Sequence, residues 1–122
     1  MRIRSLVILI GLIATGAAQA QQASGNSAAT YRTLLDRYCV SCHNATLKTA
    51  NLLLDQANIA DVSRDPALWE RVLMKLSLRA MPPVGMPLRP SEDEYHALTA
   101  YLISELDSHA KQNPNPGFVT LH

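Results

Sequence analysis

The feature that most constrains this chain is one Cys-x-x-Cys-His motif, Cys39-Val-Ser-Cys42-His43, which holds both cysteines of the 122 residues. Cysteines at this spacing occur in redox dithiols, in halves of zinc sites and as the covalent anchor of a haem. A plain structural disulfide is a fourth interpretation. Each places different demands on the rest of the chain, so the fold depends on which one applies.

The remainder of the sequence favours the haem anchor. A zinc site needs four ligands, and no two histidines of the chain stand at ligand spacing. A dithiol of the thioredoxin type expects a strand before the motif, and here the periodicity predicts a helix. A disulfide would leave the adjacent histidine unexplained. In a haem anchor, Cys39 and Cys42 bind the two vinyl groups and His43 binds the iron.

Apolar residues recur at helical spacing in three segments, and no segment alternates as a strand does. The predicted fold class is therefore all-α, with three main helices and long loops. The first helix is predicted over 27–38, the second from Asp65 to a stop near Met81, and the third from Ser91 to about residue 111. Four of the seven prolines lie in 81–90, which predicts a stiff, extended loop.

The N-terminus has the features of a secretory signal, with Arg2 and Arg4 before a short apolar run and Ala-Gln-Ala before Gln21. The predicted division is a signal peptide over 1–20, a flexible leader over 21–27, a helical domain over 28–111 and a C-terminal tail over 112–122. This predicts a periplasmic protein. The alternative is a chain tethered to the membrane by an uncleaved N-terminal helix.

The charge balance bears on partners. The formal net charge is +1, which offers no basic excess for nucleic acid, and past the signal no second apolar stretch predicts a membrane span. A domain this small has a thin core, and a large apolar group bonded into it would supply much of the missing buried surface. We therefore expect the haem to be part of the fold.

The far side of the iron either takes a ligand from the chain or stays open. Met81 is favoured, because Pro82 and Pro83 restrict its backbone, whereas Met86 in a similar Met-Pro context remains a competitor. Met74 is expected to pack in the core. The histidine candidates are His96, His109 and His122, of which the first two are expected on the surface of the last helix.

Two further expectations concern neighbours of the haem. The second ring nitrogen of His43 needs an acceptor, and a backbone carbonyl in the loop after Asn44 is expected to supply it. Arg79 and Arg89 are candidates to pair with the haem propionates, since a guanidinium matches a carboxylate. Alternatively, these two arginines belong, with Arg64, Arg71 and Lys75, to a basic region around the Met81 loop that docks a partner, or all five lie on ordinary solvated helix faces.

Three segments, LLDRYCVSCHNATLKTANLLLD, WERVLMKL and MPPVGMPLRP, resemble the planctomycete-type cytochrome c domain. The resemblance covers about 34–101. It implies a small cytochrome c fold around one covalent haem c, with the motif histidine and the methionine before the two prolines, here His43 and Met81, as ligands. The chain departs from the pattern in two places: Ala50 and Asn51 stand where glycines are common, and Leu88 adds one residue.

The predicted function is single-electron transfer, without enzymatic activity, between redox protein partners such as a dehydrogenase, an oxidase or another cytochrome. One alternative is an accessory haem domain or subunit of a larger oxidoreductase. A further alternative is a haem enzyme or gas sensor with an open sixth position. The predicted cofactor-binding residues are Cys39, Cys42, His43 and Met81, and no catalytic residue is predicted.

Overall fold

The computed structural model describes residues 17–114, with side chains described from Ser27 onward. It contains three α-helices, α1 (Ala17–Tyr38), α2 (Pro66–Ser77) and α3 (Glu92–Gln112), and two short 3-10 turns at Thr49–Asn51 and Val62–Arg64. No strand occurs within this part of the chain, which confirms the all-α class. None of its helices combines the length and the apolar character that a membrane span requires.

Side-chain caps begin α2 and α3 where the sequence predicted them. The Asp65 carboxylate accepts the N–H of Leu68 at 3.0 Å, with Pro66 in the first turn. The Ser91 hydroxyl accepts the N–H of Glu94 at 3.2 Å, and the Glu94 carboxylate accepts the N–H of Ser91 at 2.7 Å. This reciprocal pair is the predicted capping box.

The first helix is longer than predicted, because it begins at Ala17 rather than near Ser27. The segment 21–27, predicted as a flexible leader, is helical. Its alanine and glutamines are good helix formers, and they outweigh Gly25, Asn26 and Ser27, which were read as loop residues. Most of the predicted signal peptide and residues 115–122 of the tail lie outside the described residues, and the domain division stays a prediction.

The second helix ends at Ser77, four residues before the predicted stop at Met81. The N–H of Ala80 donates to the carbonyl of Lys75 at 3.0 Å, and the N–H of Arg79 donates to that of Leu76 at 3.0 Å. This pattern is a Schellman motif, with Arg79 in the left-handed position at φ 53°. The prediction was wrong because Arg79 occupies a position where glycine is the usual signal.

One apolar core joins the helices to the loops between them. Leu35 of α1, Trp69 of α2 and Leu102 of α3 are almost completely buried. The long segment between α1 and α2 also contributes, so the core is not made by helices alone. Its buried members are Leu35, Leu54, Ile59, Val62, Trp69, Val72, Leu76, Tyr95, Leu98 and Leu102.

Side chains of the helices hold the loop between α1 and α2 by its carbonyl groups. The Arg32 guanidinium donates to the carbonyl of Leu54 at 2.8 Å and to that of Ala57 at 3.3 Å. The Tyr101 hydroxyl donates to the carbonyl of Ile59 at 2.8 Å. These bonds satisfy acceptors that no regular element pairs, and they fix the loop against α1 and α3.

Candidate functional site

A largely apolar cavity of about 420 Å³ lies between the turn after α1, one side of α2 and the loop before α3. Its volume falls within the range of about 300–1,000 Å³ typical of cofactor pockets. Apolar side chains such as Leu52, Leu54, Val72 and Leu76 form part of its wall. The residues predicted to bind the cofactor, Cys39, Cys42, His43 and Met81, all line this one cavity.

The Cys-x-x-Cys-His motif folds as a compact turn directly after α1. The N–H of Cys39 donates to the carbonyl of Leu35 at 2.9 Å, which continues the helical pattern past Tyr38. The N–H groups of Cys42 and His43 then both donate to the carbonyl of Cys39, at 3.1 and 2.9 Å. Because the turn is closed in this way, both thiols and the imidazole border the same cavity.

His43 is held at its ring and at its backbone. Its Nδ1 lies 3.0 Å from the carbonyl oxygen of Thr49, and its own carbonyl accepts the N–H of Leu54 at 2.9 Å. A carbonyl can only accept, so Nδ1 carries a proton, and in the neutral imidazole Nε2 then keeps a lone pair that suits a metal ion. The predicted backbone acceptor in the loop after Asn44 is therefore confirmed, and it is Thr49.

The loop that presents the Thr49 carbonyl has an uncommon backbone. Lys48, Ala50 and Asn51 have φ values of 50°, 55° and 53°, in the left-handed region that favours glycine. Ala50 and Asn51 are the two positions at which the resemblance noted glycines as common. The loop thus keeps the glycine conformation without glycine.

Asn44 organises the start of the same loop, and sequence reasoning did not select it. Its Oδ1 accepts the N–H groups of Thr46 and Leu47 at 3.0 and 2.9 Å, and its Nδ2 donates to the carbonyl of Val40 at 2.7 Å. An asparagine that begins a turn in this way is a known signal. Its position directly after the motif could have identified it.

The two cysteines differ in environment. Cys39 is half-buried and Cys42 is exposed, and both are free thiols. Burial, partly opposed by Arg32, raises the pKa of the Cys39 thiol to about 11. Redox dithiols depend instead on a lowered thiol pKa, so this environment does not suit the dithiol interpretation.

The zinc interpretation gains no support from the described residues either. Within 27–114, no three side chains of the His, Cys, Asp or Glu type come together as a cluster that could hold a metal ion. A structural zinc site would require four such ligands in contact with one ion. Within the described residues, no further His, Cys, Asp or Glu side chain therefore joins the motif to complete a zinc site.

Three methionines line the cavity, and they differ in exposure. Met81 is half-buried, whereas Met86 is 43 % exposed and Met74 is 51 % exposed. The expectation that Met74 packs in the core is wrong. Its apolar spacing on α2 is real, but at this position the apolar face borders the cavity and solvent rather than another helix.

The proline content predicted that the loop before α3 is extended, and this is true of only part of it. It turns at 83–86, where the N–H of Met86 donates to the carbonyl of Pro83 at 3.2 Å. Gly85 has φ 94°, which is the conformation that the third position of a type II turn requires. Met86 is therefore the last residue of a turn within the loop, whereas Met81 lies at the start of the loop.

Of the other histidines, the two within the described residues, His96 and His109, do not line the cavity. The His96 side chain is exposed on α3 beside Glu92, as expected of a surface residue. His109 lies near the end of α3, where its carbonyl accepts the N–H of Asn113 at 2.9 Å. His122 lies outside the described residues.

The cations at the cavity belong to the predicted basic region, but they are not the two candidates for the haem carboxylates. Arg71 and Lys75 of α2 line it. Arg79 instead pairs with Glu92 at 2.8 Å, and Arg89 donates to the carbonyl of Arg79 at 2.9 Å. Neither Arg79 nor Arg89 is among the residues that line the cavity, and their pairing with the haem carboxylates stays a prediction.

Comparison with known proteins adds no assignment to this geometry. No protein-family model, no curated protein and no solved structure matches the chain. The functional argument therefore depends on the motif, the cavity and the groups that border it.

Proposed function

We propose that this chain is a monohaem c-type cytochrome that passes single electrons between redox proteins in the periplasm. One observation carries the proposal: a single apolar cavity is bordered by both motif cysteines, by His43 and by a methionine that is distant in sequence. In a covalent, six-coordinate haem, two cysteine sulfurs are bonded to the vinyl groups, and an imidazole and a thioether bind the iron.

The donor groups fit this cofactor in detail. The proton of His43 Nδ1 is engaged by the Thr49 carbonyl, which leaves Nε2 to bind iron as a neutral ligand. Cys39 and Cys42 border the cavity and would hold the haem through two thioether bonds. The apolar wall would exclude water from most of the macrocycle.

Haem bound here would supply an iron that accepts and releases one electron. The chain tunes that chemistry through the groups that it places around the iron. A thioether from Met81 favours the ferrous state relative to a second imidazole and raises the reduction potential. Arg71 and Lys75 border the cavity as cations, and they would offset the negative charge of the haem carboxylates.

The electron-carrier proposal is stronger than the open-site alternative because three thioethers border the cavity. Met74, Met81 and Met86 each offer a soft ligand of the type that closes a sixth position. Export, the periplasmic location and redox protein partners remain part of the same proposal. An accessory haem subunit of a larger oxidoreductase would use the same site, so the two differ only in what the chain binds.

The test is to express the full chain with a bacterial haem-attachment system and to examine the purified holoprotein. Haem staining should remain with the chain on a denaturing gel, and the oxidised protein should show the weak near-infrared band of a sulfur-to-iron bond. Absence of covalent haem in the folded protein would contradict the proposal. Co-purification with a dehydrogenase subunit would indicate the accessory role.

A matched control comes from the motif itself. Cys42→Ala should leave one thioether at most, and Ser41→Ala, at the exposed residue beside it, should leave staining and spectrum unchanged. If a variant with both Cys39 and Cys42 replaced by alanine retains as much haem stain on the denaturing gel as Ser41→Ala does, the haem is not held by the motif.

A further inference from the structure

The backbone of Met81 is tied to α3 by a buried tyrosine. The Tyr95 hydroxyl donates to the carbonyl of Met81 at 3.0 Å, and only 2 % of Tyr95 is exposed. Met86, in contrast, donates its N–H to Pro83 within its own loop. The tyrosine hydroxyl therefore joins the main chain of Met81, and not that of Met86, to the buried face of α3.

Tyr95 is itself fixed from two sides. The guanidinium of Arg79 lies 4.5 Å above the ring centroid, a distance at which a cation and an aromatic face attract. That guanidinium donates to Glu92 at 3.0 and 2.8 Å and to the carbonyl of Leu76 at 2.8 Å. Arg89 reaches the Tyr95 oxygen at 3.3 Å. The hydroxyl therefore has a defined position from which to hold Met81.

The same contacts join the end of α2 to the beginning of α3. Arg79 follows the Schellman end of α2, and Glu92 is the first residue of α3. Hydrogen bonding from Arg79 holds the pKa of Glu92 below its ordinary value, so this pair is charged at neutral pH. The loop that carries Met81 leaves from one side of this contact and returns to the other.

We propose that Tyr95 is the positioning residue for the sixth iron ligand, because its hydroxyl holds the start of the loop that carries the Met81 thioether. This inference rests on the proposed function. Tyr95 does not line the cavity, and it acts through the Met81 carbonyl rather than on the Met81 sulfur. Without the hydroxyl, the loop would hold the Met81 thioether less firmly, and external ligands would reach a bound haem iron more often.

The test compares Tyr95→Phe with Tyr101→Phe in the holoprotein. Tyr101 is a matched control, since it also lies on α3 and its hydroxyl also donates to a loop carbonyl, that of Ile59 at 2.8 Å. Both variants lose one tyrosine-to-carbonyl bond, but only one of these bonds is made to Met81. Three quantities are measured: carbon monoxide binding to the reduced protein, the near-infrared band against rising pH, and the thermal midpoint.

One hydrogen bond contributes about 0.5–1.5 kcal/mol, so losing the Met81 bond should increase loop opening about two- to tenfold. Tyr95→Phe should therefore raise the apparent carbon monoxide affinity by that factor and lose the near-infrared band at a lower pH. Tyr101→Phe should change neither, although its thermal midpoint should fall comparably. That difference separates positioning from general stability.

Two outcomes would overturn the inference. Equal changes in the two variants would reduce Tyr95 to a structural role, and wild-type ligand binding in Tyr95→Phe would show that its hydroxyl does not hold the ligand. Carbon monoxide binding to the reduced wild type distinguishes these two outcomes from failure of the proposed function. If it binds carbon monoxide as readily as Met81→Ala does, the assignment of Met81 fails and the inference fails with it.

Discussion

The left-handed conformation of Ala50 allows a quantitative prediction about stability. Ala50 has φ 55° and ψ 22°, and it lies next to Thr49, whose carbonyl holds His43. For an L-residue with a Cβ this conformation costs about 1–2 kcal/mol, because Cβ approaches the carbonyl oxygen. Glycine has no such cost, so Ala50→Gly should relieve the strain without changing the loop.

The gain is partly offset in the unfolded state. Glycine adds conformational freedom there, which costs about 0.4–1 kcal/mol relative to alanine. The Ala50 side chain is exposed, so its removal loses little buried surface. The net expectation is a stabilisation of about 0.5–1 kcal/mol. For a domain of this size that corresponds to a rise of about 2–8 °C in the thermal midpoint.

The assay is thermal unfolding of the holoprotein, followed by circular dichroism, with two matched variants. Ala97→Gly, at an exposed position inside α3, should lower stability by about 1 kcal/mol, because there the backbone is helical. Asn51→Gly should gain less than Ala50→Gly, since asparagine tolerates the left-handed region better than alanine. If Ala50→Gly destabilises the protein as much as Ala97→Gly does, the strain argument is wrong.

Three further predictions concern the ligands, the cofactor and pH. Met81→Ala should remove the near-infrared band, lower the reduction potential and admit carbon monoxide, whereas Met86→Ala should leave all three nearly unchanged; the opposite result would assign the ligand to Met86. Replacing both cysteines with alanine should abolish covalent haem and largely prevent folding, because the thin core lacks its apolar centre; native helicity without haem, measured by circular dichroism, would contradict this. Hydrogen bonding from the Ser91 amide holds the pKa of the Glu94 carboxyl below its ordinary value of 4.5. The ionised carboxylate therefore contributes its full stabilisation above pH 4.5, and this stabilisation is lost as the pH falls through the lower pKa of the folded state. Denaturant unfolding at several pH values should show a shallower acid loss in Glu94→Gln, and an unchanged pH profile would refute the assignment.

Local sequence signals predicted the beginnings of α2 and α3. The Asp65 and Ser91 caps act within three residues of themselves, so their geometry follows from the sequence alone. The motif turn is equally local, since its hydrogen bonds join Cys39 to Cys42 and His43. Even the acceptor for His43 was predictable in kind, because an imidazole that binds a metal through one nitrogen usually donates its other N–H to an acceptor.

Features that depend on distant partners were not predictable. The spacing that places Met74 on an apolar face does not reveal whether that face meets a helix or a cavity. Likewise, a count of charges near the loop did not reveal that Arg79 contacts Glu92. The end of α2 was missed for a different reason, because its left-handed residue is an arginine rather than the glycine that usually marks this motif.

The geometry of the site depends on long polar side chains that belong to the helices. Loop carbonyls lack partners in a regular element and need donors from elsewhere. Here Arg32 of α1 and Tyr101 of α3 hold the loop between α1 and α2, and Tyr95 of α3 holds the loop that carries Met81. Hydrophobic patterning counts a tyrosine such as Tyr95 as a core residue, which its burial confirms, yet overlooks its hydroxyl. In a small helical domain with long loops, tyrosine and arginine residues on the buried faces of helices are therefore the ones to examine, because their polar ends can position a loop that carries a ligand.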